Sequence, residues 1–159
     1  MSEETEIVLT PGGYVKLKQR LEYLRNVQRP DIAQRLRDAK QAGELAENSE
    51  YENAKQEQAL VESEILELSQ LLQISQILDP EKIPTDYAGI GSIVKMTDLD
   101  SNDQWEFTLV GSVEADPDID MISDESPIGR AIMGRKVNDV VPVRLPRGIA
   151  RYRVDGIRK

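Results

Sequence analysis

From Tyr51 to Ser75 one set of residues steps by three and four without a break: Tyr51, Ala54, Gln58, Val61, Ile65, Leu68, Leu72 and Ser75. An α-helix turns once in about 3.6 residues, so this spacing puts the whole set on one side. The stripe is heptad-like, with small or polar members at some positions, and needs a second helix to cover it. The preceding segment supplies one. Thr10-Pro11 reads as a helix start, with a hydroxyl at the cap and a proline at the first helical position. Tyr14, Leu17, Leu21 and Leu24 follow on one face, and Ile32, Leu36 and Ala39 resume it. Pro30 lacks an N–H and crowds the turn before it, so a kink is expected there. Gly43 is the first strong breaker and reads as the C-cap. Two long helices with a short connection run antiparallel, and each arm of about 30 residues would reach roughly 45 Å.

Charge supports the pairing. Lys16 to Lys40 holds eight basic and three acidic residues, whereas Glu44 to Glu67 holds eight acidic residues and one basic, Lys55. Opposite charges on facing arms fix register.

The pattern changes near residue 79. Pro80 and Pro84 are followed by short β-type runs, so residues 1–79 read as a helical hairpin, 80–86 as a linker and 87–159 as a second domain. Ser92 to Met96 and Trp105 to Val110 flank a polar turn and form a hairpin. Ser126-Pro127 opens a short helix, Ile128 to Met133, ended by Gly134. Val140 to Leu145 and Ile149 to Ile157 add two strands around Pro146-Arg147-Gly148. The expected class is α+β: a long antiparallel coiled-coil hairpin followed by a small antiparallel sheet with one short helix. Glu114 to Glu125 reads as a solvated acidic loop. Arg151, Arg153 and Asp155 should face water by parity.

Composition narrows the chemistry. The chain has 159 residues and a formal charge of −9, which argues against tight duplex binding and against sequence-specific DNA recognition. It has no cysteine and no histidine, which removes disulfides, thiol and imidazole metal sites, and histidine acid–base catalysis. Chemistry is left to carboxylates, hydroxyls and amines. No apolar run approaches the roughly 20 residues that span a bilayer, and the N-terminus lacks the basic and apolar regions of a signal peptide. A soluble, cytoplasmic protein without membrane partners is expected.

The connection between the arms is the chemically distinctive segment. It carries Glu44, Glu47 and Glu50 within one short turn. Glu50 and Glu52 suit the start of a helix, where the dipole favours carboxylates. Glu44 and Glu47 lie at the far end of a long arm, where like charges repel unless a cation meets them. Magnesium suits that role, because it keeps several waters and takes one or two protein carboxylates. Such a pair becomes useful when another molecule completes the ligand set. Lys40 and Lys55 flank the tip, and two readings stand: contacts to RNA phosphates, or solvated lysines.

Leu9-Thr10-Pro11-Gly12-Gly13-Tyr14, Arg29-Pro30, the block from Gly43 to Tyr51, and Ser126-Pro127-Ile128-Gly129-Arg130-Ala131 together resemble the bacterial Gre transcript-cleavage factors over nearly the whole chain. The resemblance implies a coiled coil that enters the secondary channel of RNA polymerase core. It also implies an FKBP-like C-terminal domain that docks near the channel mouth, without implying isomerase activity. It makes Glu44 and Glu47 the tip acids that help hold a second magnesium ion, shared with the polymerase active site. It makes Asn48, Ser49 and Tyr51 supports of the tip. Lys40 and Lys55 would face the nascent RNA 3′ end, and Glu125, Ser126 and Pro127 would touch the polymerase. The family's usual first acid is aspartate, and here it is Glu44, one methylene longer.

The resulting expectation is an accessory factor that stimulates the polymerase's own cleavage of backtracked RNA and is not itself an enzyme. A channel-binding relative that does not stimulate cleavage is the alternative, favoured by Glu44. A coiled-coil adaptor or chaperone would explain the heptads but not the acidic tip. A self-sufficient nuclease lacks the groups for two metal sites.

Overall fold

A computed structural model of the chain describes residues 7–43 and 48–159. Two compact units are present: Tyr14–Ser75, and the residues up to Gly13 together with Gln76–Lys159. The segment 80–86, expected as a linker, contains a single 3-10 turn, Pro80–Lys82, and lies in the same compact unit as residues 87–159.

The hairpin unit is built from three helical stretches. Helix α1, Pro11–Tyr23, passes directly into a π-helical stretch, Leu24–Gln28, and then into α2, Arg29–Ala42. Helix α3, Ser49–Ile74, returns alongside. The disturbance expected at Pro30 is there, in a different form. The Arg29 N–H reaches back to the Leu24 carbonyl, one residue further than in an α-helix. This widened turn sits just ahead of Pro30, where the ring would otherwise crowd the carbonyl of Asn26. The seam follows the sequence stripe. Leu21, Leu24, Ile32, Val61, Ile65 and Leu68 form the core, with Leu17, Leu36 and Leu72 packed against it. Tyr51 and Gln58 are half-buried. Ser75 departs from the expectation, because the helix ends at Ile74 and Ser75 opens strand β2, Ser75–Ile77. Strand β2 pairs with β1, Ile7–Leu9.

The arms are clasped by charge as their composition foretold. Arg20 meets Glu64 at 2.9 and 3.1 Å, Arg29 meets Glu62 at 2.7 and 2.8 Å, and Arg35 meets Glu57 at 2.5 and 3.3 Å. All are bidentate forks on the surface, a geometry that specifies register more than it stabilises. Hydrogen bonds from Arg35 and Arg29 hold the Glu57 and Glu62 carboxyls below the ordinary glutamate value of 4.5. A carboxyl lowered on folding supports the fold above its unfolded value and loses that support as pH falls through its folded value. The hairpin should therefore lose helical stability as pH falls below the ordinary glutamate value of 4.5. Thermal melts followed by helical circular dichroism should show a smaller acid-induced drop in Glu57→Gln with Glu62→Gln than in wild type.

The C-terminal unit is a five-stranded sheet in the order β5-β4-β3-β7-β6. Its strands are β3, Ile93–Asp98; β4, Gln104–Val110; β5, Met121–Ser123; β6, Val140–Leu145; and β7, Gly148–Arg158. Helix α4, Pro127–Ile132, packs against β6. The α+β class holds, but the sheet is mixed: β5 runs parallel to β4, with Thr108 beside Met121 and Val110 beside Ser123. Val94, Met96, Phe107, Leu109, Ile132, Val141, Val143, Tyr152 and Val154 fill the core.

The segment Glu114 to Glu125 is more than a solvated loop. It contains β5, Asp116 caps a 3-10 turn, Pro117–Ile119, and Asp120 accepts a bond from the Trp105 indole at 3.0 Å. Arg151 and Arg153 are exposed as parity requires, whereas Asp155 is half-buried. Opposite the Lys95/Met96 step the pairing skips Asp155, since Met96 faces Val154 and Lys95 faces Gly156. This bulge turns its carboxylate onto the Thr97 hydroxyl and Arg153. Burial pushes the Asp155 carboxyl up, but the bonds from Thr97 and Arg153 outweigh it and leave it below the ordinary value.

Candidate functional site

At the start of α3 one side chain joins the two helices of the hairpin. Asn48 is the N-cap of α3, and its Oδ1 accepts from the Tyr51 N–H at 3.2 Å. Its Nδ2 donates to the Ala39 carbonyl at 2.7 Å, in the last turn of α2. A single amide thus satisfies an orphan donor of one helix and an orphan acceptor of the other. Asparagine suits the position because it offers a donor and an acceptor at once. Ala39 is buried, so its carbonyl has few alternatives.

The neighbouring residues frame this joint. Helix α2 ends at Ala42, and Gly43 is its C-cap in extended backbone (φ 169, ψ −168), not in the left-handed form. Ser49 opens α3, and Glu50 and Glu52 occupy its first turn as the dipole favours. Tyr51 is half-buried, and the Lys55 ammonium lies 5.8 Å from its ring centroid. Lys40 is exposed in the last turn of α2, where a cation suits the carbonyl end. Glu44 and Glu47 lie outside the described residues. The structure brings together Ala39, Asn48 and Tyr51, and it places Lys40 and Lys55 on the two helices that lead to the acids.

Asn48→Ala should cost about 1–2 kcal/mol, the loss of a cap plus a bond that leaves a buried carbonyl unpaired. Asn48→Asp should fall between wild type and alanine, because it keeps the cap and loses only the donor to Ala39. Urea unfolding followed by helical circular dichroism separates the three.

The second predicted patch is on the C-terminal unit. Ser126 is the N-cap of α4: its Oγ accepts from the Gly129 N–H at 3.1 Å and donates to the Ser123 carbonyl at 2.6 Å. The Glu125 N–H donates to Ser123 Oγ at 3.0 Å. The Ser126 hydroxyl is therefore spent inside the turn, and the exposed groups are Glu125 and Pro127. Sequence reading did not single out Gly129, which lets this turn close. A Cβ there would stand 1.9 Å from the Ser123 carbonyl oxygen. Its place in the block Ser126 to Ala131 was the available signal.

Two family models divide the chain between them. Residues 7–77 match the model described as transcription elongation factor, N-terminal, and residues 83–159 match transcription elongation factor, GreA/GreB, C-term. The chain belongs to the GreA/GreB transcription elongation factor family. Curated relatives named transcription elongation factor GreA agree along their whole length. The one from Clostridium kluyveri is 42% identical over 100% of both chains, and the one from Alkaliphilus oremlandii is 47% identical over 97% of both. Among solved structures, GreA factor homolog 1 of Thermus thermophilus is 31% identical, with 97% of this chain and 99% of that chain covered and a TM-score of 0.46. The first match ends with β2 at Ile77 and the second begins at residue 83, ahead of β3. Among the described residues no helix is long and apolar enough to cross a membrane.

Proposed function

We propose that this Gre-family chain binds RNA polymerase core and carries its hairpin tip through the secondary channel to the nascent RNA 3′ end. There it stimulates endonucleolytic cleavage of backtracked RNA, so that elongation resumes. The catalytic centre on this reading is the polymerase's, and the chain is its accessory. Family membership supports the reading, and one structural observation carries it. The Asn48 side chain ties the start of α3 to the last turn of α2, the two helices that flank Glu44 and Glu47 in the sequence.

The donor set fits magnesium. Glu44 and Glu47 offer hard carboxylate oxygens, and the ion commonly takes one or two of these while keeping waters. The remaining ligands would come from the polymerase and the RNA, so the ion is shared. When bound, such an ion supplies a polarised water and charge stabilisation for phosphodiester hydrolysis. The chain's residues bind and orient. Glu44 and Glu47 supply carboxylates at the tip, Lys40 and Lys55 neutralise RNA phosphates beside it, and Glu125 and Pro127 hold the C-terminal unit on the polymerase. Asn48, Ser49 and Tyr51 support the tip, and Ser126 builds the docking turn. No sequence-specific DNA contact is needed, and the working place is the bacterial cytoplasm.

The second reading, a channel-binding regulator that does not stimulate cleavage, rests on Glu44. Adding the protein to a stalled, backtracked elongation complex with magnesium distinguishes them. Shortened RNA supports cleavage stimulation, and binding with unchanged RNA length overturns it in favour of the regulator.

A further inference from the structure

Tyr51 and Lys55 lie four residues apart on α3, a spacing that brings side chains together on one face of a helix. The Lys55 ammonium stands 5.8 Å from the centre of the Tyr51 ring. An aromatic face carries partial negative charge and attracts a cation at this range. Tyr51 is half-buried, and its backbone N–H donates to Asn48 Oδ1 at 3.2 Å. Lys55 is exposed. A residue ordered in this way can steady a longer, more flexible side chain beside it.

Lys55 takes this ring in place of a carboxylate. Glu52 stands three residues before it, a spacing at which helical side chains can pair, yet among the described residues Lys55 forms no ion pair. Three arginines of α1 and α2 and their joining stretch behave differently. Arg20, Arg29 and Arg35 each give their donors to a glutamate of α3. Arg20 also lies over an aromatic ring, that of Tyr23 at 5.9 Å, but its donors go to Glu64. An ion pair cancels the charge and spends the N–H donors. A ring face holds the ammonium and leaves its charge uncancelled. Lys55 is also the one basic residue between Glu44 and Glu67.

We propose that Tyr51 is a positioning residue for transcript cleavage that acts through Lys55: its ring holds the lysine ammonium as an uncancelled cation for an RNA phosphate. The inference rests on the cleavage reading above, in which Lys55 meets RNA, and gives that lysine a defined place before the RNA is bound. A lysine has a long, flexible stem and loses rotamer freedom when its head is fixed. A ring that orders it beforehand removes part of that cost, as pre-organisation does in binding generally. The attraction at an exposed site is modest, so its loss should cost severalfold and less than loss of the lysine itself.

The test compares wild type, Tyr51→Phe, Tyr51→Leu, Lys55→Met and the double variant Tyr51→Leu with Lys55→Met, at increasing concentration on a backtracked elongation complex with magnesium. Nuclear magnetic resonance follows the Lys55 side-chain protons of the free proteins in parallel. Residue 51 donates to Asn48 through its backbone N–H, so these substitutions spare that bond. Tyr51→Leu should lower the maximal cleavage rate about threefold, while the half-saturating concentration moves less than about twofold. Tyr51→Phe should keep the rate, because the ring face remains. Lys55→Met should cost more than Tyr51→Leu, and adding Tyr51→Leu to it should change nothing further. In the free protein the ring should shift the Lys55 methylene protons beside the ammonium upfield in wild type and Tyr51→Phe, and the shift should vanish in Tyr51→Leu. An unchanged maximal rate in folded Tyr51→Leu overturns the inference while leaving the cleavage reading intact. A further loss when Tyr51→Leu is added to Lys55→Met overturns it as well, because Tyr51 would then act by another route. Absence of cleavage by wild type overturns the cleavage reading and the positioning role with it. Unshifted Lys55 protons in wild type overturn the hold whatever the cleavage result.

Discussion

Glu44→Ala combined with Glu47→Ala is expected to lose at least about a hundredfold of the cleavage rate on backtracked complexes, with affinity for the polymerase unchanged within about twofold. Ligand count sets the size of the effect. On the proposed reading the two carboxylates would be the chain's whole contribution to a shared ion, and methyl groups cannot replace them. Binding should survive if docking is through Glu125 and Pro127 as proposed, since they lie at the head of α4, in the other compact unit. Glu44→Asp is the informative companion. It keeps the charge, removes one methylene and restores the acid usual in the family, so its rate should rise above wild type. Gel analysis of labelled transcripts at saturating factor reads all three. A double alanine variant that still cleaves at the wild-type rate would remove the tip acids from the chemistry.

Much of the hairpin was legible because its partners are near in pattern. The three-and-four stripe of α3 ends up buried at Ala54, Val61, Ile65 and Leu68, and the charge imbalance of the arms became three forked ion pairs. Such features follow from helical period alone. What escaped was decided by distant partners. Ser75 keeps the heptad spacing, yet the chain leaves the helix there because β1 offers backbone partners. Strand β5 is only Met121–Ser123 in an acidic stretch, too short to show alternation, and it exists because β4 lies alongside. Glu114 looked like one more solvated acid, yet it accepts from the Thr10 N–H at 2.9 Å, and nothing within its own segment points there.

The site was legible in a different way. Residue types at the tip and at Ser126-Pro127 identified the family, but not what each side chain does. Asn48 and Ser126 turn out to act inward, as caps that shape their segments, while Lys40, Glu125 and Pro127 stand exposed. In the sequence these residues stand side by side. Hydrogen bonding separates those that build from those that can meet a partner.

Gly129→Ala is expected to destabilise the C-terminal unit by about 3 kcal/mol, the upper end for overpacking, and to weaken polymerase binding along with it. The new Cβ would stand 1.9 Å from the Ser123 carbonyl oxygen, 2.8 Å from its carbon and 2.9 Å from the Asp124 Cα. All three are backbone, so no side chain can swing away. Either α4 shifts or the Ser123 turn opens, and both break the Ser126 cap that presents Glu125 and Pro127. Gly134→Ala is the matched control. Its backbone is left-handed (φ +79) but a Cβ there meets nothing within 4 Å, so the cost should be the conformational one, about 1–2 kcal/mol, with binding retained. Urea unfolding of the two variants, alongside polymerase binding at a temperature where both stay folded, separates crowding from strain. If Gly129→Ala proved no more costly than Gly134→Ala, the Ser123 backbone would not be the wall that this glycine accommodates, and the Ser126 turn would have to be held by other contacts.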